Sequence, residues 1–179
     1  MLQLYNLNKV KIKGLKLYKD YCIESTLATG DKVLSFLYPS RLAKEVMEEC
    51  YIRTKKDEFV IKETADRGDW KSVKATLNVE NLEGQVFEHF NTTEQTIEQC
   101  LILAVAGTGW TVQVNGVTKR RTIRKTNCST WDIIQQAKKT YLVEIEFDTI
   151  NKVIKASEKL GSHMGVYFMF SLILRCLDI

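Results

Sequence analysis

Short segments in which apolar and polar residues alternate dominate the first ninety residues, and they restrict this part of the chain to β-structure. Examples are "LQLYNL", "IKGLKLY", "YCIESTL" and "KVLSFLY". A period of two places one face of a strand in the core and the other in solvent. The turn "ATGD" and Pro39, the single proline of the chain, bracket the fourth segment. Strands at this spacing predict a small barrel or a strongly bent sheet.

Two further patterns connect these strands. "SRLAKEVMEE" predicts a short helix that Ser40 caps, with Leu42, Val46 and Met47 facing inward. "CYIRTKKDEFVIKET" predicts a hairpin around "TKKD", and "RGDW" predicts a turn into the next strand. The tripeptide at 67–69 also resembles an adhesion motif, but in a protein assembled inside a cell a turn is the simpler interpretation.

The composition changes after these ninety residues, where a helical period begins. Thr92 and Gln95 match a capping box, and a helix over 93–106 is expected to bury one apolar stripe. The glycines of "AGTGW" follow this helix. A phosphate-binding loop has the opposite order, strand before helix, because the helix N-terminus must face the anion. Gly107 and Gly109 are therefore predicted to end the helix and begin the strand "WTVQV", not to bind a nucleotide.

A second helix and a hairpin follow. Ser129 and Asp132 match a capping box ahead of "WDIIQQAKKTYL", which has an apolar stripe that includes Ile134. "LVEIEFDTINKVIKASEK" predicts a hairpin with its turn at "DTINK". The fold class is therefore predicted as α+β: a small β-barrel-like domain interrupted by an inserted α/β subdomain with two helices and a hairpin. Its parts are 1–90 for the first β stretch, 91–164 for the insert and 165–179 for the returning strands.

Composition limits the classes of partner. A net charge of +4 is mild and implies no obligatory anionic partner. The five cysteines are scattered without a CxxC pair, which favours reduced, structural thiols in a protein assembled in a cytosol. No segment resembles a signal peptide, and no apolar run is long enough to span a bilayer.

The residues that carry chemistry are isolated from one another. His89 and His163 lack the spacing of a metal site or a general base, and Cys100 falls on an apolar helix face. Cys128 precedes a helix, so either a reactive thiol of lowered pKa or a structural cysteine is compatible with its position. No catalytic residue, metal ligand or cofactor site is therefore predicted. Two carboxylate pairs are interpreted as solvated surface: Glu48/Glu49 and Glu144/Glu146.

A basic run is the best candidate site. Strand alternation places Lys119, Arg121 and Lys125 on one face, with Arg120 and Arg124 between them. These side chains are candidates for contacts with anions or with another subunit. No aromatic residues interleave with them as a single-strand nucleic-acid platform requires, so nucleic acid is not expected. The alternative is a solvated or subunit-facing edge.

Three stretches, which together extend over nearly the whole chain, resemble one protein family. The sequence is similar to the N-terminal hub region of phage tail-tip minor structural proteins, also known as tail-associated lysins or the prophage endopeptidase tail family. The stretches that carry this resemblance are "DKVLSFLYP…YIRTKKDEFVIKE", "FNTTEQTIEQCL…AGTGWTV" and "RRTIRKTNCSTWDIIQQAKKTYLVEIEFDTINKVIKASEKLG…GVYF".

The resemblance implies a role and a set of partners. It implies a virion structural protein, assembled in the bacterial host cytoplasm, that closes the tail tube at the tail tip as a baseplate hub. It implies a homotrimer that docks to the distal tail protein, with the tape-measure and receptor-binding proteins as further partners and no membrane contact. In this interpretation the β domain is the hub domain. The alternative function is a tail-associated endopeptidase or peptidoglycan hydrolase whose catalytic part is mostly absent from this chain.

Two departures from the family pattern stand out. Family members continue well beyond this point, whereas this chain stops in a strand-like apolar segment, so a lytic domain is not expected within it. "GSHM" at 161–164 matches a tag-cleavage scar, and both a native segment and an engineered junction remain open.

Overall fold

A computed structural model describes residues 1–26 and 29–158. These residues fall into two compact units, one over Met1–Asn78 and one beginning at Val79. The boundary expected from composition, between residues 90 and 91, falls inside a strand of the second unit. The expected return of 165–179 to the β domain, and the "GSHM" segment, lie outside the described residues.

Seven strands lie in the described part of the first unit. They form one sheet of order β2-β1-β5-β6-β7-β4-β3, in which every neighbouring pair is antiparallel. The strands are β1 Leu2–Tyr5, β2 Lys11–Leu15, β3 Lys19–Thr26, β4 Asp31–Pro39, β5 Tyr51–Arg53, β6 Glu58–Arg67 and β7 Trp70–Leu77.

The connectivity of the two edge strands requires this sheet to curl. β2 and β3 lie at opposite edges, yet only residues 16–18 separate them in the chain. Seven flat strands would place the edges roughly 29 Å apart at about 4.8 Å per strand. Four Cα–Cα steps of about 3.8 Å reach no more than about 15 Å. The sheet is accordingly a curled half-barrel, in agreement with the bent sheet that the sequence predicts.

A row of apolar side chains crosses the inner strands of this sheet. Leu4 pairs with Ile52, and Ile52 pairs with Phe59 on the next strand. None of the three retains accessible surface. Burying a side chain of this size contributes about 1.5–3 kcal/mol. The alternation in the sequence thus marks the core of the first unit.

The connections in the first unit agree with the sequence in two places and differ in one. β5 and β6 form the predicted hairpin, and Gly68, at φ 62°, turns β6 into β7. The predicted helix after Pro39 is wrong. A 3₁₀ turn covers only Ser40–Leu42, and further turns follow, because this short segment must cross from β4 to β5. Val46 is buried, but Met47 is 55% exposed.

In its described residues, the second unit combines a two-stranded ribbon, a three-stranded sheet and three helices. β8 and β10 form the ribbon, while β11, β12 and β9 form the sheet in that order, with β12 and β9 parallel. The strands are β8 Val86–Thr96, β9 Thr111–Asn115, β10 Arg120–Ser129, β11 Glu144–Asp148 and β12 Val153–Ser157. The helices are α1 Glu80–Glu83, α2 Ile97–Val105 and α3 Thr130–Tyr141.

Helix α2 begins one turn later than the sequence predicts. Two overlapping capping signals occur there, Thr92 with Gln95 and Thr96 with Gln99. The structure uses the second, in which the Thr96 hydroxyl accepts from the Gln99 N–H and the Gln99 side chain accepts from the Thr96 N–H. Thr92 instead lies in β8, where its hydroxyl donates to Cys100 Sγ. Strand pairing with β10 decides between the two signals.

Three local features that the sequence predicts are present in this unit. Gly107 and Gly109 have φ values of 86° and 77° and end α2 before β9. Ser129 and Asp132 form the capping box of α3. β11 and β12 form the predicted hairpin. The short helix α1 is an element that the sequence does not signal.

Aromatic side chains link α3 and the three-stranded sheet. The Phe147 ring of β11 lies 5.1 Å from that of Trp131 in α3 and 6.2 Å from that of Trp110 before β9. α2 packs against α3, β8 and β9. Across both units the described chain is mostly β-structure with few helices and a curled half-barrel sheet.

Candidate functional site

The predicted basic run lies along β10 at the surface of the second unit. Within the described residues, β10 pairs with β8 alone. The buried Ile123 lies between Arg121 and Arg124 in the run. The Arg124 side chain is exposed to solvent on the opposite face of the strand from Ile123. The ribbon register is irregular between Arg121 and Ile123. A single face shared by Lys119, Arg121 and Lys125 therefore stays a prediction. Lys119 immediately precedes the strand.

Local contacts already engage most of these cations. Lys119 Nζ lies 3.0 Å from Glu158 Oε1, and Lys125 Nζ lies 3.8 Å from Asp132 Oδ1. The guanidinium groups of Arg120 and Arg121 donate to the Glu94 and Arg120 carbonyls. Among the described residues, Arg124 alone of the run has no hydrogen bond or ion pair. This pattern favours a charged ribbon edge over a preformed phosphate cradle.

A shallow groove of about 540 Å³ borders Arg124. His89, Asn91 and Thr126 line it together with Lys125. Phe90 also lines it but is only 6% exposed, so its ring face is not available for stacking on a nucleobase. The groove therefore lacks the aromatic platform of a single-strand binder.

Neither candidate thiol has the environment of a nucleophile. Burial raises the pKa of Cys100, despite the hydrogen bond from Thr92. Burial also raises the pKa of Cys128 and outweighs the nearby Lys125 ammonium. The hypothesis that a helix N-terminus lowers the pKa of Cys128 is therefore wrong, because this side chain is 2% exposed and faces the core.

The other residues that were candidates for chemistry are dispersed. The His89 side chain is 74% exposed, with Nε2 lying 3.7 Å from its neighbour Glu88, and His163 lies outside the described residues. Glu49 pairs with Lys62 at 3.1 Å on the surface and Glu146 is exposed. No group of residues within 1–26 and 29–158 has the composition and proximity of a metal site.

A second groove lies in the first unit, at one end of the curled sheet. It measures about 620 Å³. Three separate connections build it: the link between β2 and β3, the 3₁₀ turn after β4, and the hairpin turn between β6 and β7. The lining side chains include Lys16, Leu17, Lys19, Arg41, Asp69 and Trp70.

Sequence reasoning missed this groove because its residues are far apart in the chain. Hydrogen bonds hold its walls together: the Ser40 hydroxyl donates to the Gly68 carbonyl at 3.1 Å, and the Ser40 N–H donates to the Asp69 carbonyl at 2.8 Å. Lys19 Nζ lies 4.4 Å from the centroid of the Trp70 ring, a cation–π contact. No local pattern signals such an arrangement.

In the part of the chain that the structure describes, no helix has both the length and the apolar content to cross a bilayer.

Comparison with known proteins found similarity to phage tail proteins. Residues 85–155 match the family model of the prophage endopeptidase tail domain. The resemblance to the prophage endopeptidase tail family is confirmed. A comparison with curated proteins found no match.

Solved structures share the fold of this chain. The prophage tail protein gp18 of Listeria monocytogenes EGD-e matches 94% of this chain with a TM-score of 0.76 and 15% identity. A tail protein of Neisseria meningitidis MC58 matches 87% of the chain, with a TM-score of 0.59 and 9% identity. The 43 kDa tail protein of prophage MuSo2 from Shewanella oneidensis also matches 87%, with a TM-score of 0.55 and 12% identity. The chain spans about half the length of these proteins, covering 54%, 49% and 53% of them.

Proposed function

We propose that the chain is a structural component of a phage tail tip, where it forms the hub that closes the tail tube and docks to the distal tail protein. The observation that carries this proposal is the shared fold with a prophage tail protein over 94% of the chain. The family match over 85–155 supports it independently. The protein would be assembled in the bacterial host cytoplasm and reside at the virion tail tip.

The hub role also implies an organisation of the chain. In this proposal a β-barrel-like hub domain is interrupted by the α/β subdomain that contains α2, α3 and the β11–β12 hairpin. Residues 165–179 would then return to complete the hub sheet. The curled sheet of the first unit supports the barrel character, since its edge strands β2 and β3 are joined by a short link.

A homotrimer is the proposed assembly. Rings of identical subunits use head-to-tail contacts that close by rotation. The ribbon strands β8 and β10 each have one side without a partner strand in the described part of the chain, and such edges are common sites of pairing between chains. The distal tail, tape-measure and receptor-binding proteins are the other proposed partners.

The alternative function is an enzyme, because the matching family is named for an endopeptidase. We favour a role without catalysis. The raised pKa values of Cys100 and Cys128 oppose a thiolate nucleophile at neutral pH. The purified chain is expected to leave casein and peptidoglycan intact. Cleavage that a Cys128→Ala or His89→Ala change abolished would establish the enzyme instead.

Light scattering tests the structural role directly. The mass of the chain would be measured alone and after mixing with the distal tail protein of the same phage. A trimer, or a complex of defined stoichiometry with that protein, is the expected result. A monomer that forms no complex at micromolar concentrations would contradict the docking role.

A further inference from the structure

Among the described residues, the lining of the groove in the first unit carries an excess of positive charge. Lys16, Lys19 and Arg41 line it, and Asp69 supplies the single carboxylate among the described lining residues. Neither Lys16 nor Arg41 has a hydrogen bond or ion pair with any described residue, and both side chains are exposed. Lys19 is held over the Trp70 ring at 4.4 Å. Cations that converge on a concave surface without partners are suited to anionic groups of a ligand.

The groove also offers apolar surface. Leu17 lies in the link between β2 and β3, and its side chain is 56% exposed. Pro39 is buried beneath the groove, and Trp70 forms part of its wall. The Tyr18 ring is fixed edge-on against Phe36 at 6.3 Å. A ligand that carries both acidic and aliphatic groups would therefore match this surface better than a simple anion.

The adjoining backbone favours an extended peptide. Lys19 begins β3, which is an edge strand of the seven-stranded sheet and pairs only with β4 among the described residues. Peptides commonly bind such edges by adding a strand, with side chains that fill neighbouring pockets. A partner in extended conformation could pair with β3 while its acidic side chains reached the cations.

Two other macromolecules fit less well. A polysaccharide needs an open aromatic face and several hydrogen-bond acceptors. Lys19 covers one face of Trp70, and Asp69 is the single carboxylate among the lining residues that the structure describes. Single-stranded nucleic acid needs successive stacking rings, and Trp70, the sole indole in the described part of the lining, already contacts the Lys19 cation.

We propose that this groove docks an extended acidic segment of a partner tail protein, with Lys16 and Arg41 binding its carboxylates and Leu17 contacting its aliphatic side chains. The proposal rests on the proposed tail function for the identity of the partner. The recognition chemistry itself is independent of that identity.

A charge-reversal experiment tests the groove. The probe is a short synthetic peptide in which glutamate and leucine alternate, titrated calorimetrically into the full chain. The double variant Lys16→Glu with Arg41→Glu is expected to lose at least about tenfold in affinity, since two charge-assisted contacts are removed. The matched control is Lys55→Glu with Lys56→Glu, which makes the same charge change at the exposed tip of the β5–β6 hairpin. The control is expected to bind within about twofold of the unmodified chain.

Several results would overturn the proposal. Equal losses in both double variants would show non-specific attraction. Equal affinity for single-stranded DNA would show a general anion surface. Failure of the full chain to bind the peptide would also overturn the proposal. If a chain truncated after residue 158 then bound the peptide, the groove would be the binding site of the C-terminal residues of this chain.

A second titration separates the groove from the function. If the distal tail protein binds the unmodified chain and the Lys16/Arg41 variant equally, docking stands and the groove proposal fails. If the distal tail protein does not bind but the peptide binds in a Lys16/Arg41-dependent manner, the groove stands and the assignment of that partner fails.

Discussion

At the scale of single residues, Glu58 joins four parts of the first unit. Its side chain is 3% exposed and accepts hydrogen bonds from Lys9 at 2.8 Å, from Asn78 at 2.6 Å and from Arg53. Burial alone would raise the pKa of Glu58, but these hydrogen bonds outweigh it and hold the pKa below its ordinary value. The ionised carboxylate therefore stabilises the folded state.

Replacing Glu58 with Gln is expected to lower the free energy of unfolding at neutral pH by about 2 kcal/mol, because two cations lose their charged partner. Lys9 and Arg53 are 39% and 32% exposed, so solvent screening keeps the cost below that of a fully buried pair. Since the folded pKa is depressed, the contribution is full above roughly pH 4.3 and is lost as the pH falls through the folded pKa. Urea unfolding of both proteins at several pH values measures this.

The matched control is Glu63→Gln, a similar carboxylate on the same strand. Its side chain is 70% exposed and lies 3.6 Å from Lys74. A change below about 0.5 kcal/mol is expected there. A loss at Glu58 that persisted undiminished well below pH 4 would contradict an electrostatic origin.

At the scale of elements, the start of α3 depends on a reciprocal cap. The Ser129 hydroxyl accepts from the Asp132 N–H at 3.1 Å, and the Asp132 carboxylate accepts from the Ser129 N–H at 3.0 Å. Hydrogen bonds that the Ser129 N–H and hydroxyl donate to the Asp132 carboxylate lower the pKa of Asp132. The Ser129→Ala change is expected to cost about 1 kcal/mol of stability, measured by thermal or urea unfolding, while Ser129→Asn should retain most of it. An alanine variant as stable as the original would show that the cap is dispensable.

The buried face of α3 gives a stronger test of packing. Ile134 has no accessible surface, whereas Ile102 of α2 is 52% exposed. Ile134→Asp is expected to cost several kcal/mol, or to prevent folding, because it buries a charge without a partner. Ile102→Asp places the same group in solvent and is expected to shift the melting temperature little. Equal melting temperatures for the two variants would refute the assignment of this face to the core.

At the scale of the whole molecule, the unit that begins at Val79 has its own core. Ile97, Leu101, Ile134 and Tyr141 come from α2 and α3 and have no accessible surface. The Tyr141 hydroxyl donates to the Gln95 carbonyl at 2.7 Å, which ties α3 to β8. A chain of residues 79–158 is therefore expected to fold alone, with dispersed amide signals in an NMR spectrum and a cooperative thermal transition. A spectrum typical of an unfolded chain would show that this unit depends on the rest of the protein.

Local sequence patterns were sufficient for many of the elements of both units. Alternation marked the strands, Gly107 and Gly109 marked the end of α2, and Ser129 with Asp132 marked the start of α3, because these features depend on neighbours in the chain. Where two local signals competed, as at Thr92 and Thr96, the choice depended on pairing between strands.

The sequence by itself determined many of the strands, the end of α2, the cap of α3, and which family the chain resembles. Only the tertiary structure decided that β2 and β3 are the two edges of one curled sheet. It also decided that Cys128 faces the core, and that Lys16, Arg41 and Trp70 share a groove. The physical reason is that backbone propensity and hydrophobic period act over a few residues. The environment of a thiol or a cation is instead set by elements that pack together from distant parts of the chain.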